Sequence, residues 1–201
     1  MKLFYMPGAC SLAPHIVARE LGLPLDLEKV DTKAQKTETG TDYRTVNPKG
    51  YVPALRLDDG QVLTENPVVL QYLADRKPEA KLVPPPGTLE RYRTMEWLSF
   101  VTSELHKSIG ALFDKKMVPE TREKTKARIA DRLDLVANHL ASRSYVAGES
   151  FTIPDAYLFV VLSWSRWVDL DLSRWPVLQQ YVARIAARPA VQTALKEEGL
   201  G

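Results

Sequence analysis

Over its first seventy-six residues the chain shows short β-prone apolar runs separated by turn chemistry. Beyond residue 88 the apolar positions recur at helical spacing. Residues 2–6 form the first β-prone run. Pro7-Gly8-Ala9 then turns the chain, and residues 11–21 read as a helix closed by Gly22, with Ile16, Val17, Glu20 and Leu21 at helical spacing. A second strand is expected over 25–30, followed by a polar stretch over 31–45 that reads as a loop with a weak helix. Runs at 54–57 and 61–64 flank Asp58-Asp59-Gly60, a strong hairpin signal. The period then changes. Asn66 reads as an N-cap and Pro67 as the first helical residue, opening a helix over 67–76. The order β-α-β-(α)-β-β-α predicts a small mixed sheet with helices on its faces.

The second half is a different kind of sequence. Prolines 78, 84, 85 and 86 and Gly87 mark an extended linker. Beyond it, residues 89–113 read as one long helix with Tyr92, Met95, Leu98, Val101 and Leu105 in a stripe. A second helix over 120–141 buries Ile129, Leu133, Val136 and Leu140. Thr152 and Asp155, three apart before an apolar run, resemble a capping box with aspartate in the glutamate role. The helix they open is apolar on nearly every face and so belongs in the middle of its domain. Helices over 175–187 and 189–195 complete an all-α half. The division expected is a small α/β domain over 1–80, a linker over 81–87 and a helical domain over 88–201.

Charge and composition narrow the setting. A net charge of +2, with basic and acidic residues interleaved, favours neither nucleic acid nor an anionic membrane. The lone Cys10 permits no internal disulfide and suits a reducing compartment. The N-terminus runs into strand-like sequence without a signal-peptide core, and no apolar run reaches membrane-spanning length. The expectation is a cytoplasmic protein. Three scattered histidines and one cysteine lack metal-ligand spacing, and no glycine pattern for a phosphate cofactor occurs.

The candidate chemistry gathers in two places. A helix start preceded by Glu65 offers backbone donors to a carboxylate and a carboxylate to an ammonium, matching the free end of an amino acid. Equally, Glu65 reads as a residue that complements the helix dipole. Pro53, before the first hairpin strand, leaves an edge that can pair with a ligand's peptide backbone. Cys10, at the start of a helix, reads either as a thiol of lowered pKa or as a small buried hydrophobe. Ser11 and Tyr5 are possible donors to a thiolate, with capping and packing as their alternatives. His106 lies one residue off the apolar stripe, as a proton carrier or a satisfied surface residue. His15 and His139 carry no supporting context.

The segments Met-Lys-Leu-Phe-Tyr-Met-Pro-Gly-Ala-Cys10-Ser, Asn47-Pro-Lys-Gly-Tyr-Val-Pro53-Ala-Leu, Leu63-Thr-Glu65, Ser103-Glu-Leu-His106-Lys and Phe151-Thr-Ile-Pro-Asp155-Ala-Tyr-Leu together resemble the beta class of bacterial cytosolic glutathione transferases. The resemblance implies a thioredoxin-like N-terminal domain followed by an all-α C-terminal domain, a homodimer, and glutathione as co-substrate with no further cofactor. It implies a cis Val52–Pro53 bond, with the Val52 backbone pairing with the cysteinyl part of glutathione beside Tyr51. Glu65 and Asn66 hold the γ-glutamyl end in this likeness, and Cys10 faces the sulfur and can form a mixed disulfide with it. His106 and Lys107 line the site from the second domain, Ser103 and Glu104 reach the neighbouring subunit's glutathione, and the Thr152–Asp155 box matches a folding motif. Three positions depart: Gln35 stands where relatives carry lysine, Ser99 where they carry asparagine, and Asn66-Pro67 where a small residue is usual.

The expected activity is therefore conjugation of glutathione to hydrophobic electrophiles, with Cys10 and His106 as catalytic candidates and Tyr51, Phe113 and Trp164 beside the electrophile. Two alternatives stand. In one, Cys10 is itself the nucleophile for glutathione-dependent disulfide exchange, peroxide reduction or reductive dehalogenation. In the other, the protein is a glutathione-binding regulatory module without turnover.

Overall fold

The computed structural model describes residues 1–201. They form two compact units: Met1–Val83 together with Ala187–Gly201, and Pro84–Ala186.

Unit one is built on a five-stranded sheet in the order β3-β2-β1-β4-β5. Strand β1 (Lys2–Tyr5) runs parallel to β2 (Asp26–Asp31) and antiparallel to β4 (Ala54–Arg56). Strand β5 (Val62–Thr64) completes the hairpin that Asp58-Asp59-Gly60 signals, with Leu55 opposite Leu63. Between β1 and β2 lies helix α1 (Leu12–Glu20), and helix α2 (Asn66–Asp75) follows β5. Ile16 and Val17 of α1 and Val69, Leu70 and Leu73 of α2 are fully buried. Phe4, Val30, Tyr43, Val46 and Ala54 form a second apolar cluster, with Val52 and Val62 against it.

The polar stretch over 31–45 holds more than a loop. Strand β3 (Lys36–Thr37) pairs antiparallel with β2, and Tyr43–Thr45 is a 3₁₀ turn capped by the Asp42 carboxylate, which accepts from the Arg44 N–H. So short a strand has no period for the sequence to display.

Unit two is helical. Helix α3 spans Leu89–Phe100, a π-helical turn spans Val101–His106, and α4 spans Lys107–Ala111. The helix expected over 89–113 is therefore interrupted. Thr102 and Ser103 donate their hydroxyls to the Leu98 and Ser99 carbonyls, competing with the backbone N–H groups for those acceptors. Of the expected stripe, Leu98, Val101 and Leu105 are buried, whereas Tyr92 and Met95 are exposed, as is Leu89. Helix α5 (Pro119–Leu140) buries Ile129, Leu133, Val136 and Leu140. Helix α6 (Ile153–Ser163) is buried over its first ten residues. At its start Asp155 accepts from the Thr152 N–H at 2.9 Å, the reach-back bond of a capping box. Helix α7 (Pro176–Ala186) ends the unit.

The last helix, α8 (Pro189–Glu197), belongs to unit one. Its periodicity matches the helical half, but its partners lie on α1: Arg188 makes a bidentate pair with Glu20 at 2.6 and 2.9 Å, and Arg19 pairs with Glu197 at 2.7 Å. No helix in the chain is long and apolar enough to cross a membrane.

Candidate functional site

In unit one the sequence brings a thiol, a strand start and a helix start to one strip. Met6, Pro7, Gly8 and Ala9 make a tight turn closed by the Ala9 N–H on the Met6 carbonyl at 3.0 Å, with Gly8 at φ 72°. Proline followed by glycine at positive φ suits a type II turn. The turn delivers Cys10 to the start of α1, buried, with its Sγ donating to the Val52 carbonyl at 3.2 Å. The Ser11 hydroxyl does not cap α1 but exchanges hydrogen bonds with the Met6 backbone.

The Val52–Pro53 peptide bond is cis, as the resemblance implied. Just before it, the Tyr51 carbonyl accepts from the Tyr43 hydroxyl at 2.8 Å and the Asn47 amide at 2.6 Å. Burial pushes the Tyr43 phenol up to about 12, so it stays a donor. Gly50 meets two demands: it sits at φ 71°, and a Cβ there would lie 2.7 Å from Gln35 Oε1. Gln35 turns its amide inward, donating to the Thr32 and Gly50 carbonyls, while its Oε1 is buried without a partner. It thus buttresses the segment beneath Tyr51, whose own side chain is exposed.

At α2 the helix begins one residue earlier than expected. The N-cap is Glu65, at φ 69°, and Asn66 is the first helical residue. Asn66 spends its amide N–H on the Cys10 carbonyl at 2.8 Å, leaving Oδ1 buried and unpartnered. That bond joins the start of α2 to the start of α1. The Glu65 carboxylate is free of capping duty and is held by the Lys49 ammonium at 2.6 Å, with both side chains about half exposed.

In unit two Ser99, Ser103, Glu104, His106 and Lys107 follow one another from the end of α3 through the π turn into α4. Ser103 and Ser99 are exposed and joined by a hydroxyl-to-carbonyl bond of 3.0 Å. Glu104 is engaged by Arg132 at 2.8 Å and Arg128 at 3.3 Å, and these hydrogen bonds hold its carboxyl below the usual range. His106 stands among aromatics: its Nδ1 is hydrogen-bonded to the Tyr157 hydroxyl, and Trp164 meets its ring edge-on at 4.9 Å. Phe113, partly exposed, also meets Trp164 edge-on at 5.9 Å.

Burial lowers the His106 pKa to about 4, aided by the neighbouring Lys107 charge. The ring is neutral at pH 7. In the neutral ring one nitrogen carries the proton, and the Tyr157 hydroxyl, which can donate or accept, is the partner of Nδ1. A histidine that charges only when unfolded makes stability depend on pH. The unfolded chain takes up this proton near pH 6.5 and the folded chain near 4, so the stability His106 confers is complete above 6.5 and lost as pH falls through that window. Denaturant melts at pH 7 and pH 4.5 are expected to show a smaller pH-dependent loss for His106→Gln than for the parent.

Tyr43, Asn47, Lys49 and Tyr157 were not singled out from sequence. Asn47 and Lys49 carry a signal as turn residues, in Asn47-Pro48 and Lys49-Gly50, but not as partners of Tyr51 and Glu65; nothing local marks Tyr43 or Tyr157.

Two family signatures match: glutathione S-transferase N-terminal domain over residues 8–76 and glutathione S-transferase C-terminal domain over residues 96–189. The chain is also 46% identical, over the full length of both proteins, to glutathione S-transferase GstA of Escherichia coli O157:H7. The chain belongs to the glutathione S-transferase family. Among solved members, the beta-class glutathione S-transferase of Sphingomonas chungbukensis is 49% identical, with a TM-score of 0.97 and full coverage of both chains. A sphingomonad glutathione S-transferase complexed with glutathione is 47% identical, with a TM-score of 0.96 and likewise full coverage. The thioredoxin-like sheet unit and the helical unit are those of this transferase fold, and the likeness is to its bacterial beta class.

Proposed function

We propose that this transferase adds the thiol of reduced glutathione to hydrophobic electrophiles in the cytoplasm, as a detoxifying homodimer. The observation that carries the reading is the continuous strip in unit one: the Cys10 thiol on the Val52 carbonyl, the cis Val52–Pro53 edge, and Glu65 at the start of a helix tied to Cys10 through Asn66. A γ-glutamyl tripeptide offers the matching sequence of groups. Its amine and carboxylate suit Glu65 and the α2 N-terminus, its peptide backbone suits Val52 beside Tyr51 and Pro53, and its thiol suits the neighbourhood of Cys10.

In this reading the bound thiol loses its proton to solvent, the sulfur forms a carbon–sulfur bond, and the leaving group departs with its electron pair. The protein contributes donors that favour the thiolate and hold it in line. His106, a neutral imidazole, and Lys107, a positive charge, are assigned to this ligand on family resemblance. Ser99 is assigned to the same ligand, and Ser103 and Glu104 to the partner subunit's, on family resemblance. The exposed Leu89, Tyr92 and Met95 on α3 support a second copy as partner, since a monomer gains little from an apolar helix face in water.

Titration calorimetry on fully reduced protein, paired with conjugation of an activated aryl halide, tests the proposal. Binding below millimolar and measurable turnover are expected; no association at millimolar glutathione would end it. The second reading, with Cys10 as nucleophile, is favoured by the nearness of the thiol to the same strip. Cys10→Ala separates the two. Conjugation is expected to persist within about tenfold, whereas glutathione-dependent disulfide exchange falls to background. If conjugation collapses instead, Cys10 is part of the transfer chemistry.

A further inference from the structure

Gly110 is a glycine that the fold of unit two does not require. It lies inside α4 and is not one of the chain's positive-φ glycines, so its backbone would accept any L residue. A Cβ there would come within 4 Å of two atoms beyond the helix backbone, His106 Cδ2 at 3.7 Å and Trp164 Cζ3 at 3.9 Å. Both are ordinary van der Waals distances. Alanine would fit, and inside a helix it is the more stable residue. Neither a turn nor a close approach accounts for the glycine. Its bare side instead borders the aromatic cluster. His106 stands four residues before it and Phe113 three after, spacings that share one side of a helix, and both rings meet Trp164 edge-on. A gap is left where a side chain at 110 would touch the imidazole and the indole. Gly110 and His106 are half-buried and Phe113 is partly exposed, so the gap is open at the surface of unit two. The His106 edge beside it, Cδ2, adjoins Nε2, which has no partner in the chain, since Tyr157 takes Nδ1.

We propose that Gly110 is a specificity-determining residue for the electrophile: its missing side chain holds open a gap against His106 and Trp164 that admits a planar aryl ring. The role in transfer rests on the conjugation proposed above; the gap itself does not. A flat ring needs about 3.5–4.0 Å of clearance from the atoms it packs on, and a Cβ at 110 would occupy that clearance over both rings. Aromatic groups pack favourably edge-to-face or offset, the arrangements that His106, Phe113 and Trp164 already make with one another. A slim aliphatic electrophile makes no such demand on the gap. Glycine at a helical position that alanine would stabilise is the pattern of stability given up for a ligand.

Gly110→Ala adds one methyl group to the gap. Kinetics at saturating glutathione are measured with two electrophiles, a chlorodinitrobenzene, which carries a planar ring, and ethyl acrylate, an unbranched aliphatic acceptor. For Gly110→Ala, KM for the aryl halide is expected to rise about tenfold, the low end of what one methylene changes in an apolar pocket. KM for ethyl acrylate is expected to stay within about twofold, and the melting temperature to match or exceed the parent's. An aryl-halide KM within about twofold of the parent's would overturn the proposal. So would an equal rise for both electrophiles, which would mean that residue 110 acts on the site as a whole. A lowered melting temperature would overturn it as well, by making the glycine a structural need. If the parent transfers glutathione to neither electrophile, the functional reading fails and the gap is still tested. Equilibrium dialysis uses dinitrotoluene, which is planar and inert to thiols, in the absence of glutathione. Binding about fivefold or more weaker to Gly110→Ala than to the parent supports the gap, and equal binding or none refutes it.

Discussion

Replacing Asp155 with alanine is expected to lower the unfolding free energy by about 3–5 kcal/mol. The carboxylate is fully buried and accepts from four donors: the Val146 N–H at 3.0 Å, the Thr152 N–H at 2.9 Å, the Thr152 hydroxyl at 2.8 Å and the Tyr181 hydroxyl at 2.9 Å. Alanine would strand these groups, and stranded buried donors cost more than the bonds they once made were worth. It would also remove the reach-back half of the capping box at the start of α6, the buried helix of unit two. Burial raises the Asp155 pKa even against those four bonds, so desolvation is only partly offset. Asp155→Asn, which carries no charge into the interior and keeps one acceptor, is therefore expected to cost less than Asp155→Ala. Urea melts of the three proteins measure both differences. A loss under about 1 kcal/mol for alanine would mean the network is incidental to stability.

Glutathione affinity is expected to fall about ten- to hundredfold in Glu65→Gln, the range a charge-assisted hydrogen bond contributes. Glu65 is the one acid at the start of α2, and its side chain makes no cap. A ligand's ammonium would take the place that the Lys49 ammonium now fills at 2.6 Å. Because that ion pair is about half exposed, solvent screens it and it competes only weakly. Lys49→Met should then tighten binding, by at most about fivefold. Calorimetry on the two variants gives opposite signs if ligand and lysine compete. Should both variants weaken binding, lysine and glutamate act together on the ligand and the competition is wrong.

The elements whose causes are local were legible in the sequence. Asp59-Gly60 between apolar runs gave the β4–β5 hairpin, and the Thr152–Asp155 spacing gave the start of α6. The start of α2 was misjudged by one residue because asparagine is a better cap than glutamate in general. Here Asn66 is drawn into the helix by its bond to the Cys10 carbonyl, which no local propensity encodes. The π turn at 101–106 keeps a helical apolar stripe and so looks continuous in sequence. In the candidate site, residue types such as Cys10 and Glu65 are readable by their chemistry, whereas the bonds that hold them, Asn66 to the Cys10 carbonyl and Lys49 to Glu65, are visible only once the chain is folded. The fate of α8 was hidden for a related reason. Periodicity tells that a helix has an apolar face, not which surface that face will meet.

Where α8 docks has a bearing on how the molecule comes to be made. A ribosome finishes the strands of unit one long before residues 187–201 emerge, so nascent α1 must wait for the whole intervening helical unit before Arg19 and Glu20 find their counterparts. The helical unit, continuous in sequence from Pro84 to Ala186, has no such dependence. During synthesis the order of completion is thus inverted relative to the order of translation: α1 is made before the helical unit but gains its α8 partners only after it.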